Sequence, residues 1–264
     1  MLAVLRQPSW VGLTLLVIVL CLTFVELGQW QLRRHDERAA ANQVLESSLG
    51  RATVAVSDLL AADDPLRPAD EWRLVTATGT YDSEHQLLVR NRTYEGVLGF
   101  EVVTPLVPPV GPALLVTRGW VPSGPSATAV PDVPAAPTGQ VTVSARVRPA
   151  PDGDPDAAGL PEGQVRRLGV PAIAATLPYE VLAGGYAQLV VGAAGSDEGP
   201  AGPRALLVPE PSAGPHRPYA VQWFLFGLIA VGGWAVLLRA TAREEPGTRP
   251  DAVRGRRPAV ADPR

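Results

Sequence analysis

The sequence predicts a membrane protein in which two transmembrane α-helices flank a β-rich (α+β) extracytoplasmic domain. Residues 10–25, "WVGLTLLVIVLCLTFV", hold no charge, and residues 220–238 form a second uncharged run. Between them lie short β-branched runs separated by breaks rich in Pro, Gly or Ala. An apolar run of about 20 residues covers roughly 30 Å as a helix, the thickness of a hydrocarbon core, whereas short β-branched runs pack best on a pleated sheet.

Taken in order, residues 1–9 read as a short cytoplasmic N-terminus and residues 10–32 as the first transmembrane helix. The bulky, polar "ELGQWQLRR" after the apolar run has no small-x-small cleavage site, so the span reads as an uncleaved anchor rather than a signal peptide. Glu26 is its one acid and shares a helix face with Trp30 and Arg33 at the outer interface, where a carboxylate snorkels, pairs with Arg33 or serves a function.

Residues 33–218 form the β-rich extracytoplasmic domain, opened by a helix over residues 36–49 that continues the first span. Strands are expected at 73–81, 86–91, 100–106, 113–121, 140–147, 188–192 and 205–209, with a shorter helix within 170–182. Residues 123–139, 149–163 and 192–203 read as surface loops. Strands this short suggest an antiparallel meander or a small barrel.

Residues 219–238 form the second transmembrane helix, with Trp223 and Trp234 near its ends and Arg239 closing it. Residues 239–264, with Arg239, Arg243, Arg249, Arg254, Arg256 and Arg257 among scattered acids and prolines, read as an arginine-rich disordered cytoplasmic tail. The positive-inside rule puts that tail in the cytoplasm, and two spans return the N-terminus to the same side of the cell membrane. Arg33, Arg34 and Arg38, at the outer end of the first span, run against the rule.

Composition removes several functions. All 23 basic residues are arginine, which excludes a P-loop or Schiff-base lysine. A formal charge of −3 without a basic patch argues against nucleic acid. Cys21, the single cysteine, cannot form an intramolecular disulfide, a CxxC pair, a thiolate zinc site or a c-type haem attachment. The chain has no HExxH, GxSxG, GxGxxG or Walker A pattern. His85 could join a Ser/His/Asp site only through distant residues; it lies in "YDSEHQ", which reads as a polar turn with a solvated histidine. His35, in the charged run "RRHDER", also reads as solvated. No catalytic residue is assigned, and the chain is not expected to be an enzyme.

His216, in "HRPYAVQWFLFG", stands at the outer end of the second span. Residue chemistry leaves two readings. It is an ordinary interfacial residue beside the belt aromatics Tyr219 and Trp223, or an imidazole placed to ligate a metal or haem iron, with Arg217 available to an anionic group.

Four segments, taken together, resemble the surfeit locus protein 1 family of cytochrome c oxidase assembly factors: "LGQWQLRR" (residues 27–34), "GFEVVTPL" (99–106), "LLVTRGWVP" (114–122) and "HRPYAVQWFLF" (216–226). The order of the segments and the two-span layout are similar as well. The family's histidine before the Tyr-Ala of the second span matches His216, its first-motif tryptophan matches Trp30, and its Arg-Gly-Trp matches Arg118, Gly119 and Trp120. The asparagine pair common before that histidine is absent, "GPHRP" standing instead, and Thr117 replaces an asparagine before Arg118. The resemblance implies a membrane-bound assembly factor that transiently binds haem a or hands it to the oxidase's catalytic subunit. It gives His216 as the metal ligand and Arg217, Trp30, Tyr219 and Trp223 as further cofactor-binding residues. The expected partners are that subunit, haem a synthase as a further candidate, and the lipid bilayer. The alternative is a membrane-anchored scaffold for oxidase subunits that binds no haem. Arg118 and Trp120 stay open between packing and cofactor contact.

Overall fold

The structure is a computed structural model that describes residues 5–62, 64–124, 131–151, 153–191 and 202–244. It divides into two compact units, Met1–Arg38 with Ala213–Arg264, and Ala39–Ser212.

The first unit holds most of helix α1, Pro8–Leu49, and all of helix α3, His216–Glu244. Both are long and apolar enough to cross a membrane. The expected first span and the helix expected over residues 36–49 form one unbroken helix, because no Gly-Pro or Asn-Gly break separates them. Helix α3 passes the expected end at residue 238 and reaches Glu244, so the tail begins helical rather than disordered. Residues 1–4 of the N-terminus and 245–264 of the tail lie outside the described residues.

The two helices meet along a seam. Among the sheltered positions, Thr14, Val17, Cys21, Phe24, Gly28, Gln31 and His35 follow one another along α1, and His216, Ala220, Trp223, Gly227, Ala230 and Trp234 along α3. Alternating steps of three and four keep one stripe of a helix toward its neighbour. Trp234 donates its indole N–H to Thr14 Oγ1 at 3.1 Å, and Cys21 Sγ lies 3.8 Å from the Gly227 carbonyl. Phe24 stacks on Trp223 with centroids 5.9 Å apart, and Phe226 meets both rings. Elsewhere the helices expose apolar side chains such as Leu15, Leu22, Leu228 and Val236.

The second unit is built on strands β1 (Val54–Ala55), β2 (Leu74–Tyr81), β3 (Leu87–Tyr94), β4 (Val97–Val107), β5 (Leu114–Pro122), β6 (Gln140–Pro149), β7 (Gln164–Val165) and β8 (Gly185–Leu189), with helix α2 (Val170–Ala174). The order is β1-β2-β6-β8-β5-β4-β3-β7, and β2 also pairs with β4 through Thr80↔Val107 and Tyr81↔Leu106. That last pairing closes β2, β6, β8, β5 and β4 into a ring in which only β5–β8 is parallel. A five-stranded Greek-key ring of this kind is the architecture of the OB fold. The small barrel expected from the sequence is the form observed.

Strand β5 is buried on both faces, which explains the continuous apolar run Leu114–Val116 at its start. Leu114 and Val116 enter the barrel core with Val75, Leu106, Val143 and Leu189, while Leu115, and Ala113 just before the strand, enter a second core with Val89, Val103, Val165 and Ile173. Two expectations are corrected. Residues 205–209 form no strand, and only an isolated bridge from Arg204 to Trp120 stands there. The strand expected at 188–192 begins three residues earlier. The shorter helix expected within 170–182 is present as Val170–Ala174. The two-residue strands β1 and β7 carry too little pattern to read. Of the expected loops, residues 125–130, 152 and 192–201 lie outside the described residues.

The "YDSEHQ" turn follows β2 as expected, yet its histidine is engaged. Asp82 Oδ2 accepts from His85 Nδ1 at 2.7 Å and from Tyr179 Oη at 2.6 Å, and Oδ1 accepts the backbone N–H of Glu84 and His85. Burial pushes the Asp82 carboxyl up, but the Tyr179 and His85 hydrogen bonds and the His85 charge outweigh it, and its pKa falls below the ordinary 3.8. Burial raises the Tyr179 phenol, as do the bond to Asp82 and its charge. A carboxyl depressed in the folded chain adds stability that is complete above its unfolded pKa and is lost as pH falls through its folded one. Thermal unfolding of the detergent-solubilised chain should therefore show an acid loss of stability below about pH 4. Tyr179→Phe should cost about 1–2 kcal/mol near neutrality and flatten that loss; an unchanged acid limb would remove Asp82 as its source.

Candidate functional site

The candidate site is built by α1 and by the turn that starts α3. His216 is the first residue of α3, and Gln31 lies on the α1 seam. His216 Nδ1 and Gln31 Oε1 are 2.8 Å apart. An amide oxygen only accepts, so His216 Nδ1 carries the hydrogen and donates it, and Nε2 keeps the ring's lone pair. A histidine whose one nitrogen is held by an oxygen acceptor presents the other, in a fixed tautomer, to a ligand.

Gly214 shapes the other edge of the ring. It has φ +65°, and a Cβ there would lie 3.3 Å from both His216 Cδ2 and Nε2 and 4.0 Å from Arg38 Cδ. The "GPHRP" segment thus sets no Cβ of residue 214 against the Nε2 edge and lies close to Arg38 at the same end of the seam.

The expected residues divide. Trp223 lies on the same face of α3 as His216, two turns along, and is held by Phe24 and Phe226. Arg217 is exposed, and Tyr219 is 48% exposed. Trp30 is 46% exposed, about 100° around α1 from Gln31, and lines a groove with Leu22, Thr23, Glu26, Leu27 and Arg33. Glu26 and Arg33 do share that face; the acid paired nearby is Glu37, with Arg34 at 3.0 Å.

Two residues differ from their sequence reading. His35 is half-buried and its Nδ1 is shielded from solvent without a hydrogen-bond partner. The charged run around it suggests solvation, but His35 is four residues beyond Gln31 and stays on the seam. Gln31 itself is missed, and the one signal for it is its seam spacing within "LGQWQLRR".

Arg118 and Trp120 are buried in the second unit. Register slips between Val102↔Gly119 and Val103↔Thr117, so Arg118 is the extra residue of a bulge. Its guanidinium donates to the carbonyls of Pro134 and Ala135 at 3.2 and 3.1 Å and lies over the Tyr81 ring. Gly119 has φ +151°, and a Cβ there would stand 2.5 Å from the Arg204 carbonyl. The Trp120 indole donates to the Arg92 carbonyl at 2.9 Å and stacks on Tyr94. These contacts give "RGWVP" a packing role.

A family model described as the SURF1 family matches residues 18–228. Uncharacterized SURF1-like proteins of Mycobacterium bovis and of two strains of Mycobacterium tuberculosis are each 36% identical over 260 residues, covering 94% of this chain and 92% of theirs. The chain belongs to the SURF1 family.

Two substitutions separate the site from the scaffold. Trp120→Ala should destabilise the β-domain by about 3–5 kcal/mol, read as an earlier thermal transition. Gly214→Ala should cost about 1–2 kcal/mol through its left-handed backbone and crowd the Nε2 edge of His216. A Trp120→Ala melt identical to wild type would contradict the packing role.

Proposed function

We propose that this SURF1 family member is a membrane-anchored, non-enzymatic assembly factor for cytochrome c oxidase that holds haem a as cargo for the catalytic subunit. The observation that carries the reading is the commitment of His216 Nδ1 to Gln31, which leaves Nε2 as an imidazole ligand at the start of α3. Family membership supports the oxidase-assembly role, and the two apolar helices support the membrane anchor.

The residues present fit the cargo. His216 offers one uncommitted ring nitrogen, and the exposed Arg217 and the nearby Arg38 offer guanidinium groups suited to propionates. Trp30, Tyr219 and Trp223 add aromatic surface around the same ends of the helices. Haem a brings an iron that accepts an imidazole and an isoprenoid tail suited to lipid. The arginines after residue 238 favour the cell membrane with both termini cytoplasmic and the β-domain outside. The catalytic subunit and haem a synthase are the proposed partners.

Purification from a haem-a-producing host tests the reading. The wild-type chain should carry haem a by absorbance, and His216→Ala should lose most of it while remaining in the membrane. His35→Leu should keep the haem and be neutral or stabilising by up to about 1 kcal/mol, since it removes a buried nitrogen without a partner. A wild-type chain free of haem in that host, with oxidase assembly still dependent on it, would favour the scaffold reading. Reporters active only outside the cytoplasm should work when fused near Gly139 and fail after Arg243; activity at Arg243 would overturn the orientation.

A further inference from the structure

We propose that Gln31 is the positioning residue of the haem ligand: its amide oxygen holds His216 Nδ1–H, fixing the ring's orientation and setting the donor strength of Nε2. The inference rests on the haem-binding reading and extends it to a residue outside the expected site.

The geometry is specific to this pair. Gln31 and His216 are 185 residues apart in sequence, yet their side chains meet at 2.8 Å because both lie on the seam. Gln31 stands on a regular stretch of α1, with Gly28 buried one turn below and His35 half-buried one turn above. His216 stands where the chain turns into α3, and Gly214 lies against the opposite edge of its ring. The imidazole is therefore held at Nδ1 by a side chain from the other helix and bounded at Cδ2 and Nε2 by a backbone that carries no Cβ. The other seam histidine nearby, His35, makes no hydrogen bond through its Nδ1. Arg38, near Gly214, supplies charge but no acceptor.

The chemistry of the acceptor gives the inference a sign. A stronger acceptor at Nδ1–H makes the imidazole a stronger donor to iron and favours the ferric state. A neutral amide oxygen sets an intermediate strength. Replacing Gln31 by glutamate keeps the reach and strengthens the acceptor, whereas leucine keeps the approximate size and removes it. A residue that only packed the seam would not move the iron's electronic properties in opposite directions through these two changes.

The test uses the full chain purified in detergent and loaded with haem a, comparing wild type, Gln31→Glu and Gln31→Leu. The readouts are the dissociation constant, the reduction potential and the iron–histidine stretching frequency. Gln31→Leu should weaken haem binding by about 10–100-fold, raise the potential and lower the stretching frequency. Gln31→Glu should retain the haem, lower the potential and raise the stretching frequency. Should Gln31→Leu lose its haem entirely, the Gln31→Glu shifts alone decide the matter. Wild-type values in Gln31→Glu, or shifts of the same sign in both variants, would overturn the role of Gln31. In that event haem on the wild type and its loss from His216→Ala would leave the parent reading standing. A wild-type chain that takes up no haem a overturns the parent reading and this inference with it.

Discussion

Everything at the candidate site depends on one constraint: two helices from opposite ends of the chain must keep a common stripe toward each other. The three-four spacing from Thr14 to His35, answered from His216 to Trp234, imposes it. Small and polar seam residues do different work along its length. Thr14 and Trp234 join by a hydrogen bond, Cys21 faces the backbone at Gly227, and an aromatic trio fills the middle. Where the seam reaches the turn into α3, the meeting residues are an amide and an imidazole, so the same periodicity that packs the helices also selects which ring nitrogen is left over.

The β-domain follows a separate logic. Its ring closes because β2 is long enough to pair with β6 along its length and still offer Thr80 and Tyr81 to β4. The bulge at Arg118 then lets one strand present a guanidinium to two loop carbonyls and an indole to the Arg92 carbonyl of β3. A buried arginine is tolerable only with its charge solvated by such acceptors. Asp70 follows the same rule, a buried carboxylate met by Arg51, Arg67 and Arg73.

Much of this was legible in the sequence because it is written in local pattern. Two uncharged runs located the helices, and β-branched runs located β2 to β6, since burial dictates both patterns residue by residue. Residues 205–209 misled because apolar composition does not distinguish a strand from a covering segment that meets the sheet through the Arg204–Trp120 bridge and a Gln188 side-chain bond to the Leu206 carbonyl. His216 stood out as a histidine beside an apolar run, whereas Gln31 is an ordinary residue in a polar stretch and owes its importance to a partner 185 positions away. His35 was misread for a related reason: local charge suggested water, while helical spacing turned one of its nitrogens inward. The grip of Asp82 on Tyr179, across 97 residues, left no local trace.

The parallel pairing of β5 with β8 bears on how the domain is made. Strand β8 is the last of the ring strands to leave the ribosome, yet its place is in the interior of the ring, between β5 and β6. Until Gly185–Leu189 has been synthesised, β5 and β6 each lack a neighbour and the ring stands open along that gap. Pairings so distant in sequence form slowly, because the loop entropy must be met before the contacts reward it. The nascent domain therefore passes through an interval with two unpaired strand edges, the state in which β-proteins are most prone to associate wrongly. For this chain the vulnerable step in biogenesis is the insertion of one five-residue strand.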